Sequence, residues 1–264
     1  MALLILLVTL GLSVVMLAAW AFQKARGNGG WTDVWWSYAT GAAGVVYAVW
    51  PMDGAPTGRQ WLVASLVAAW SLRLGTHLLR RTAGAQAEDP RYARFRKDWG
   101  EAFQNRMLSF LQVQAGSAAL LALAVLVAAR RPGPLGWQDA AGLALMLLAI
   151  GGEALADAQL NRFKADKANH GKVCDLGLWG WSRHPNYFFE WLVWLAYPLI
   201  AIGAGWPWGW IALAGPAFMV LLLTRVSGIP PLEAAMVRSR GEAYRAYQRR
   251  VSAFVPLPPR KEVS

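Results

Sequence analysis

Residues 2–22 read ALLILLVTLGLSVVMLAAWAF, a run without a charged side chain. An α-helix rises about 1.5 Å per residue, so about twenty apolar residues cross the roughly 30 Å hydrocarbon core of a bilayer. The run has no basic residue ahead of it and leads directly to Lys24 and Arg26. A cleaved signal peptide normally has a basic segment first and a shorter apolar core. The stretch therefore predicts a retained membrane-spanning helix.

Comparable apolar runs recur along the chain. Hydrophobic residues make up 56% of the 264 residues and charged residues 16%, whereas soluble domains carry about 25% charged residues. The sequence predicts an all-α, polytopic membrane protein with about seven transmembrane helices in one domain. The predicted spans are 2–22, 31–50, 60–80, 108–129, 137–160, 186–204 and 207–225.

The distribution of basic residues predicts the topology. The net charge is +11, and 22 of the 26 Lys and Arg residues fall in alternate loops on one side, against three on the other. Such a bias marks the cytosolic side and favours an odd number of spans, with the N-terminus outside and the C-terminus cytosolic. Basic loops attracted to anionic lipid explain the charge without nucleic acid. We expect a bacterial inner-membrane protein with its site facing the cytosol.

Polar side chains recur on single helix faces at the cytosolic ends of the predicted spans. An ionisable group at membrane depth is costly, so each is a candidate functional residue. Because they share one depth, we expect a polar pocket open to the cytosol and closed toward the other side. Each stripe alone could instead serve hydrogen bonding between helices. The stripes comprise Glu153, Asp157, Asn161 and Lys164; Arg73, His77 and Arg80; Asn186 and Glu190; and Asp33 with Ser37 and Thr40.

The stretch 177–187 reads GLWGWSRHPNY and is followed by Glu190. It resembles the C-terminal half of the steroid 5α-reductase superfamily, over about residues 150–256. Pro185 also suits the first turn of a helix, which offers a purely structural reason for the Arg-His-Pro run.

The resemblance implies that NADPH is the cofactor and that 136–264 is the cofactor-binding half. Residues 232–251 in this half look helical and basic, so we expect a cytosolic amphipathic helix there. No Gly-x-Gly-x-x-Gly fingerprint is present, so a Rossmann domain is excluded and the cofactor would lie among the helices. Lys and Arg can neutralise its phosphates, and carboxylates can accept from its ribose or amide groups. The implied cofactor residues are Glu153, Asp157, Asn161, Lys164, Lys172, Arg183, His184, Asn186, Tyr187, Glu190, Arg225 and Tyr244.

The resemblance also implies hydride transfer to the C=C bond of an α,β-unsaturated ketone in a lipophilic, steroid-like substrate. An acid must then polarise the carbonyl oxygen. The family's animal members use a Glu and a Tyr, but the second span here has no Glu and Trp70 stands at the third-span position. Within the substrate half, 1–135, we expect Asp33, protonated by burial, and His77 to act instead.

Two other functions stay open. The Arg-His-Pro-x-Tyr run, with Glu233, Tyr244 and Tyr247, also resembles isoprenylcysteine carboxyl methyltransferases, which use S-adenosylmethionine. The lysines at 164–172 favour a phosphate-bearing cofactor and so the reductase. The third alternative is a non-catalytic membrane scaffold. We expect no metal.

Overall fold

The computed structural model describes residues 1–52 and 54–260. Its secondary structure in these ranges is helical, with 3₁₀ turns, one π-helical turn and two isolated β-bridges. The all-α prediction is confirmed. The α-helices are α1 (Ala2–Arg26), α2 (Trp31–Val49), α3 (Gly58–Ala83), α4 (Pro90–Trp99), α5 (Phe103–Ala129), α6 (Trp137–Ala165), α7 (Pro185–Ala201), α8 (Ala214–Leu221), α9 (Ile229–Arg240) and α10 (Glu242–Arg250).

Five helical stretches of the described chain are long and apolar enough to cross a membrane, so the chain is an integral membrane protein by helix length and composition. They correspond to the predicted first, third, fourth, fifth and seventh spans. The second and sixth predicted spans form helices α2 and α7, which have 19 and 17 residues and are not among the five. The last stretch continues without a long break from the 3₁₀ turn Pro207–Leu213 through α8 and α9.

The chain divides into two compact units. The first comprises Met1–Ala140 and Tyr197–Gly215, and the second comprises Ala141–Ala196 and Pro216–Ser264. The sequence did not predict that Tyr197–Gly215 would pack with the N-terminal helices. Each unit is described by itself below.

Helices α1, α2 and α5 of the first unit are joined by polar contacts within an apolar core. Ser13 on α1 donates to the Gln112 side chain on α5 at 2.6 Å, and Gln23 donates to Gln104 at 2.9 Å. Met16 and Met107 are fully buried between these helices. Lipid tails are as apolar as the surfaces of membrane helices, so the hydrophobic effect does not drive the helices together. Side-chain hydrogen bonds of this kind help them to associate.

A buried ion pair fastens one end of the first unit. The Arg59 guanidinium, 2% exposed, donates to both Asp139 oxygens at 2.7 and 2.8 Å and to the carbonyl of Arg131 at 2.7 Å. Burial and the neighbouring Arg59 charge lower the pKa of Arg131, and Asp139 opposes that shift. Removal of either partner would leave an uncompensated buried charge, so this pair is costly to break.

The second unit contains most of α6 and α7, then α8, a π-helical turn (Leu222–Val226), α9 and α10. One amphipathic helix was predicted for the C-terminal segment, and this was wrong in detail. Gly241, with φ of 55°, separates α9 from α10 because that left-handed conformation cannot continue a helix. Tyr244, Tyr247 and Val251 then form a small buried cluster.

Candidate active site

All twelve residues predicted to bind a cofactor lie in the second unit. The two predicted acids, Asp33 and His77, lie in the first. The second unit therefore holds the candidate cofactor site, and its geometry follows from three elements: α6, the turn 177–184 before α7, and the C-terminal segment 229–260.

The turn 177–184 is fastened to α6. The backbone N–H of Leu178 donates to the side-chain oxygen of Gln159 at 2.9 Å. The indole N–H of Trp179, which is buried, donates to the carbonyl of Ala156 at 2.9 Å. Asp157 lies between these two α6 anchors in sequence. The most specific motif of the chain is thus held beside the predicted polar stripe of α6.

The C-terminal segment is fastened to the same turn. Ser182 and Ser252 form a parallel β-bridge, and the Ser182 hydroxyl donates to the Phe254 carbonyl at 2.8 Å. The Tyr247 hydroxyl donates to the Trp179 carbonyl at 2.5 Å. These contacts satisfy the backbone groups of an irregular turn, which would otherwise be costly to bury.

Arg183 reinforces this junction with its side chain. Its Nε donates to Glu233 at 2.6 Å, and its Nη1 donates to the carbonyls of Gln248, at 3.1 Å, and Val251. The N–H donors of Nε and Nη1 are therefore committed to the protein itself. We expected Arg183 to surround a cofactor, but most of its hydrogen-bonding capacity serves the fold.

Glu233 connects several side chains of the site, although the sequence analysis did not include it among the cofactor-binding residues. Its Oε1 accepts from Arg183 and lies 3.2 Å from His184 Nε2, and its Oε2 accepts from Gln248 at 2.8 Å. Glu233 and Arg183 also lie near Tyr244 and act on the pKa of its phenol in opposite directions. The sequence contained a signal for this contact, since the Arg183 guanidinium requires a counter-charge and Glu233 is the one acidic residue of α9.

His184 is 2% exposed and stacks on Tyr187, with ring centroids 5.4 Å apart and 13° between the planes. Burial lowers the pKa of His184, while Glu233 acts in the opposite direction. The imidazole is therefore neutral at pH 7. Because a carboxylate only accepts hydrogen bonds, the His184 proton resides on Nε2 and leaves Nδ1 as an acceptor. Burial likewise raises the pKa of Tyr244 and Tyr247, so both phenols stay protonated.

Three buried carboxylic residues lie on α6 and α7, two of them next in sequence to the residues where the helices meet. A Cβ on Gly152 would overlap the Phe189 ring, so the two helices approach closely at this point. Glu153 and Glu190 directly follow these two residues and are 4% and 7% exposed, and Asp157 lies one turn further along α6. Glu190 accepts from the indole N–H of Trp194 at 3.0 Å. Acidic side chains buried this deeply are rare in membrane helices and mark functional positions.

The remaining predicted residues differ in exposure. Asn186 and Tyr187 are partly buried at the start of α7, which begins at Pro185 as predicted. The other four are exposed: Asn161, Lys164, Lys172 and Arg225. Lys164 is close enough to Cys174 to act on its thiol, whose pKa is raised chiefly by burial. The exposed cations Lys164 and Lys172 thus lie on α6 and on the loop that follows it.

Asp33 makes polar contacts with α4. Its carboxylate pairs with the Arg91 guanidinium and accepts from the buried Tyr92 hydroxyl at 2.7 Å. Asp33 therefore joins α2 to α4, and a proton-donor role does not follow from its surroundings. His77 is partly buried on α3.

The comparisons with known proteins bear on the family alone. The family model described as "Protein of unknown function (DUF1295)" matches residues 19–251, which is most of the chain. The chain belongs to this family. No curated protein and no solved structure matches it.

Proposed function

We propose that this protein is a membrane-embedded reductase whose second unit binds NADPH. It transfers hydride to the C=C bond of an α,β-unsaturated ketone in a lipophilic, steroid-like substrate. The observation that carries the proposal is the set of three buried carboxylic residues at the α6–α7 contact, beside the Arg-His-Pro turn that resembles the steroid 5α-reductase superfamily. The proposal includes seven spans, a cytosolic C-terminus and a bacterial inner membrane.

The chemistry of these side chains fits NADPH. Its phosphates require cations, and the exposed Lys164 and Lys172 supply them at the cytosolic end of α6 and in the following loop. Its ribose hydroxyls and amide require acceptors, which Glu153, Asp157 and Glu190 can provide. When bound, the nicotinamide supplies hydride.

The protein's own residues would orient the cofactor and exclude water. His184 presents a fixed tautomer, since Glu233 accepts from Nε2. The Arg183–Glu233 pair would act indirectly, because it holds the turn against α9 and α10. For the proton that the substrate oxygen needs, His77 remains the candidate after the assignment of Asp33 to an ion pair.

A second candidate is an S-adenosylmethionine-dependent methyltransferase. It is favoured by one observation, the contacts of Arg183 and His184 with Glu233. These residues belong to the pattern that resembles isoprenylcysteine carboxyl methyltransferases. The exposed Lys164 and Lys172 favour NADPH over S-adenosylmethionine, because NADPH carries phosphates.

Thermal unfolding of the detergent-purified protein distinguishes the candidates. A ligand that binds only the folded state raises the unfolding temperature by mass action. We expect NADPH to stabilise the protein and Asp157→Asn to abolish that effect, while Asp166→Asn, an exposed cap residue, retains it. Stabilisation by S-adenosylmethionine alone would reverse the ranking, and stabilisation by neither would leave a scaffold.

A further inference from the structure

Next to the start of α7, the C-terminal segment exposes an apolar surface. Trp181 is 50% exposed, Val255 46% and Leu257 53%. The N–H of Leu257 donates to the carbonyl of Trp181 at 2.9 Å, which joins two of these residues through their backbones. We name Trp181, Val255 and Leu257 the apolar edge.

An aromatic cluster joins this edge to α7. The Phe254 ring, directly before Val255 in the C-terminal segment, lies 5.9 Å from Phe188 and 5.8 Å from Trp191. These α7 residues follow Pro185 by about one to two helical turns, a rise of roughly 5–9 Å. Aromatic side chains concentrate where hydrocarbon meets headgroups. The apolar edge is therefore attached to the N-terminal part of α7, whose sequence is apolar.

Basic side chains accompany the apolar edge. On α10, Tyr244 and Tyr247 point into the protein, whereas Arg245 and Arg249 are exposed. Arg260, also exposed, is tied to α10 by its N–H, which donates to the Arg250 carbonyl at 2.9 Å. Exposed basic residues together with exposed apolar residues can bind an anionic bilayer surface.

We propose that the apolar edge and the arginines Arg245, Arg249 and Arg260 dock together on the anionic headgroup layer of the surrounding bilayer. The apolar side chains enter the interface and the guanidinium groups bind lipid phosphates. Lipid contacts would thus hold the C-terminal segment on its exposed side, and the Arg183–Glu233 pair holds it on the side that faces the protein. The proposal is independent of which cofactor the second unit binds.

Spin labelling tests this proposal on the full chain. Cys174 is the one cysteine of the sequence, so a Cys174→Ala background allows a single label at Leu257→Cys in nanodiscs. With phosphatidylglycerol present, we expect a label at 257 to be accessible to oxygen and protected from a water-soluble nickel chelate. A label at His170→Cys, in an exposed polar loop, serves as the aqueous control. Equal chelate access at both positions would overturn docking.

A second arm tests the lipid charge. In discs of phosphatidylcholine alone, the label at 257 should lie closer to water. Arg245→Gln with Arg260→Gln should produce the same shift in the anionic discs. If the depth of the label at 257 changes neither with lipid charge nor with these substitutions, docking on an anionic surface is overturned. Gel filtration and circular dichroism of each variant separate these outcomes from misfolding.

Discussion

Arg183 and Glu233 stand fifty residues apart in the sequence, yet Nε of the guanidinium lies 2.6 Å from Oε1 of the carboxylate. Their side chains are 10% and 14% exposed. This pair joins the turn before α7 to α9, so the residues of the most specific motif depend on a carboxylate far along the chain.

Replacement of Glu233 should therefore destabilise the second unit. Glu233→Gln keeps the side-chain volume but leaves the Arg183 guanidinium without its counter-charge. Loss of one partner of a fully buried pair costs about 3–5 kcal/mol, and this partly buried pair should cost less. We expect a clear drop in unfolding temperature in detergent. Glu242→Gln removes the partner of Arg249 in a largely exposed pair and should change little. Equal effects of the two substitutions would show that Glu233 does not hold the junction.

The stability of the second unit should also depend on pH through His184. Burial lowers the pKa of His184 from about 6.5, so the unfolded chain binds a proton more readily than the folded protein. The contribution of His184 to the free energy of unfolding should be constant above about pH 6.5. Below that pH, the free energy of unfolding should decrease as the pH falls. Chemical denaturation between pH 7.5 and 5 measures this, and His184→Gln should remove the His184-dependent part of the decrease. An unchanged profile in that variant would rule His184 out as its source.

The contact between α6 and α7 offers a matched pair of glycines. Gly152→Ala places a methyl group into the Phe189 ring, whereas a Cβ at Gly151 meets nothing within 4 Å. We expect Gly152→Ala to lower the unfolding temperature by several degrees. Gly151→Ala should be neutral or stabilising by up to about 1 kcal/mol, since alanine favours helix. Adding Phe189→Ala to Gly152→Ala should restore part of the loss, and no restoration would locate the defect elsewhere.

The helices could be predicted from the sequence because a membrane-spanning helix requires a long run of apolar residues. Runs near twenty apolar residues predicted the five helical stretches that are long and apolar enough to cross a membrane, and Pro185 correctly marks the start of α7. The prediction of one continuous C-terminal helix failed at Gly241, where a single residue with positive φ divides it.

The candidate site was less accessible to sequence reasoning. A stripe on one helix can be read from spacing, and Glu153 and Asp157 are indeed buried. Spacing does not reveal which distant residue neutralises a charge, so Glu233 was missed as the partner of Arg183 and Arg91 as the partner of Asp33. The sequence predicted an acidic role for Asp33 but not its contacts with Arg91 and Tyr92 of α4.

Asp33→Asn discriminates between an ion-paired and an acidic role. If Asp33 serves Arg91 and Tyr92, the substitution should lower the unfolding temperature whether or not substrate is present. Asp98→Asn, in the exposed pair with Arg94, is the control and should have little effect. A variant with unchanged stability and slow enone reduction would instead restore Asp33 as the proton donor.

The lysines near the end of α6 should determine the preference for a phosphorylated cofactor. Lys172→Gln removes one exposed cation that we assign to NADPH, and a charge-assisted contact to phosphate contributes about 1.5–3 kcal/mol. NADPH should therefore bind at least about tenfold more weakly, since each 1.4 kcal/mol is a factor of ten. Lys167→Gln makes the same charge change at another exposed position of this loop and should leave affinity nearly unaltered. Isothermal titration with NADPH and NADH measures both effects. Equal weakening by the two substitutions would indicate general attraction of an anion to a basic surface, because a specific phosphate contact depends on which lysine is removed.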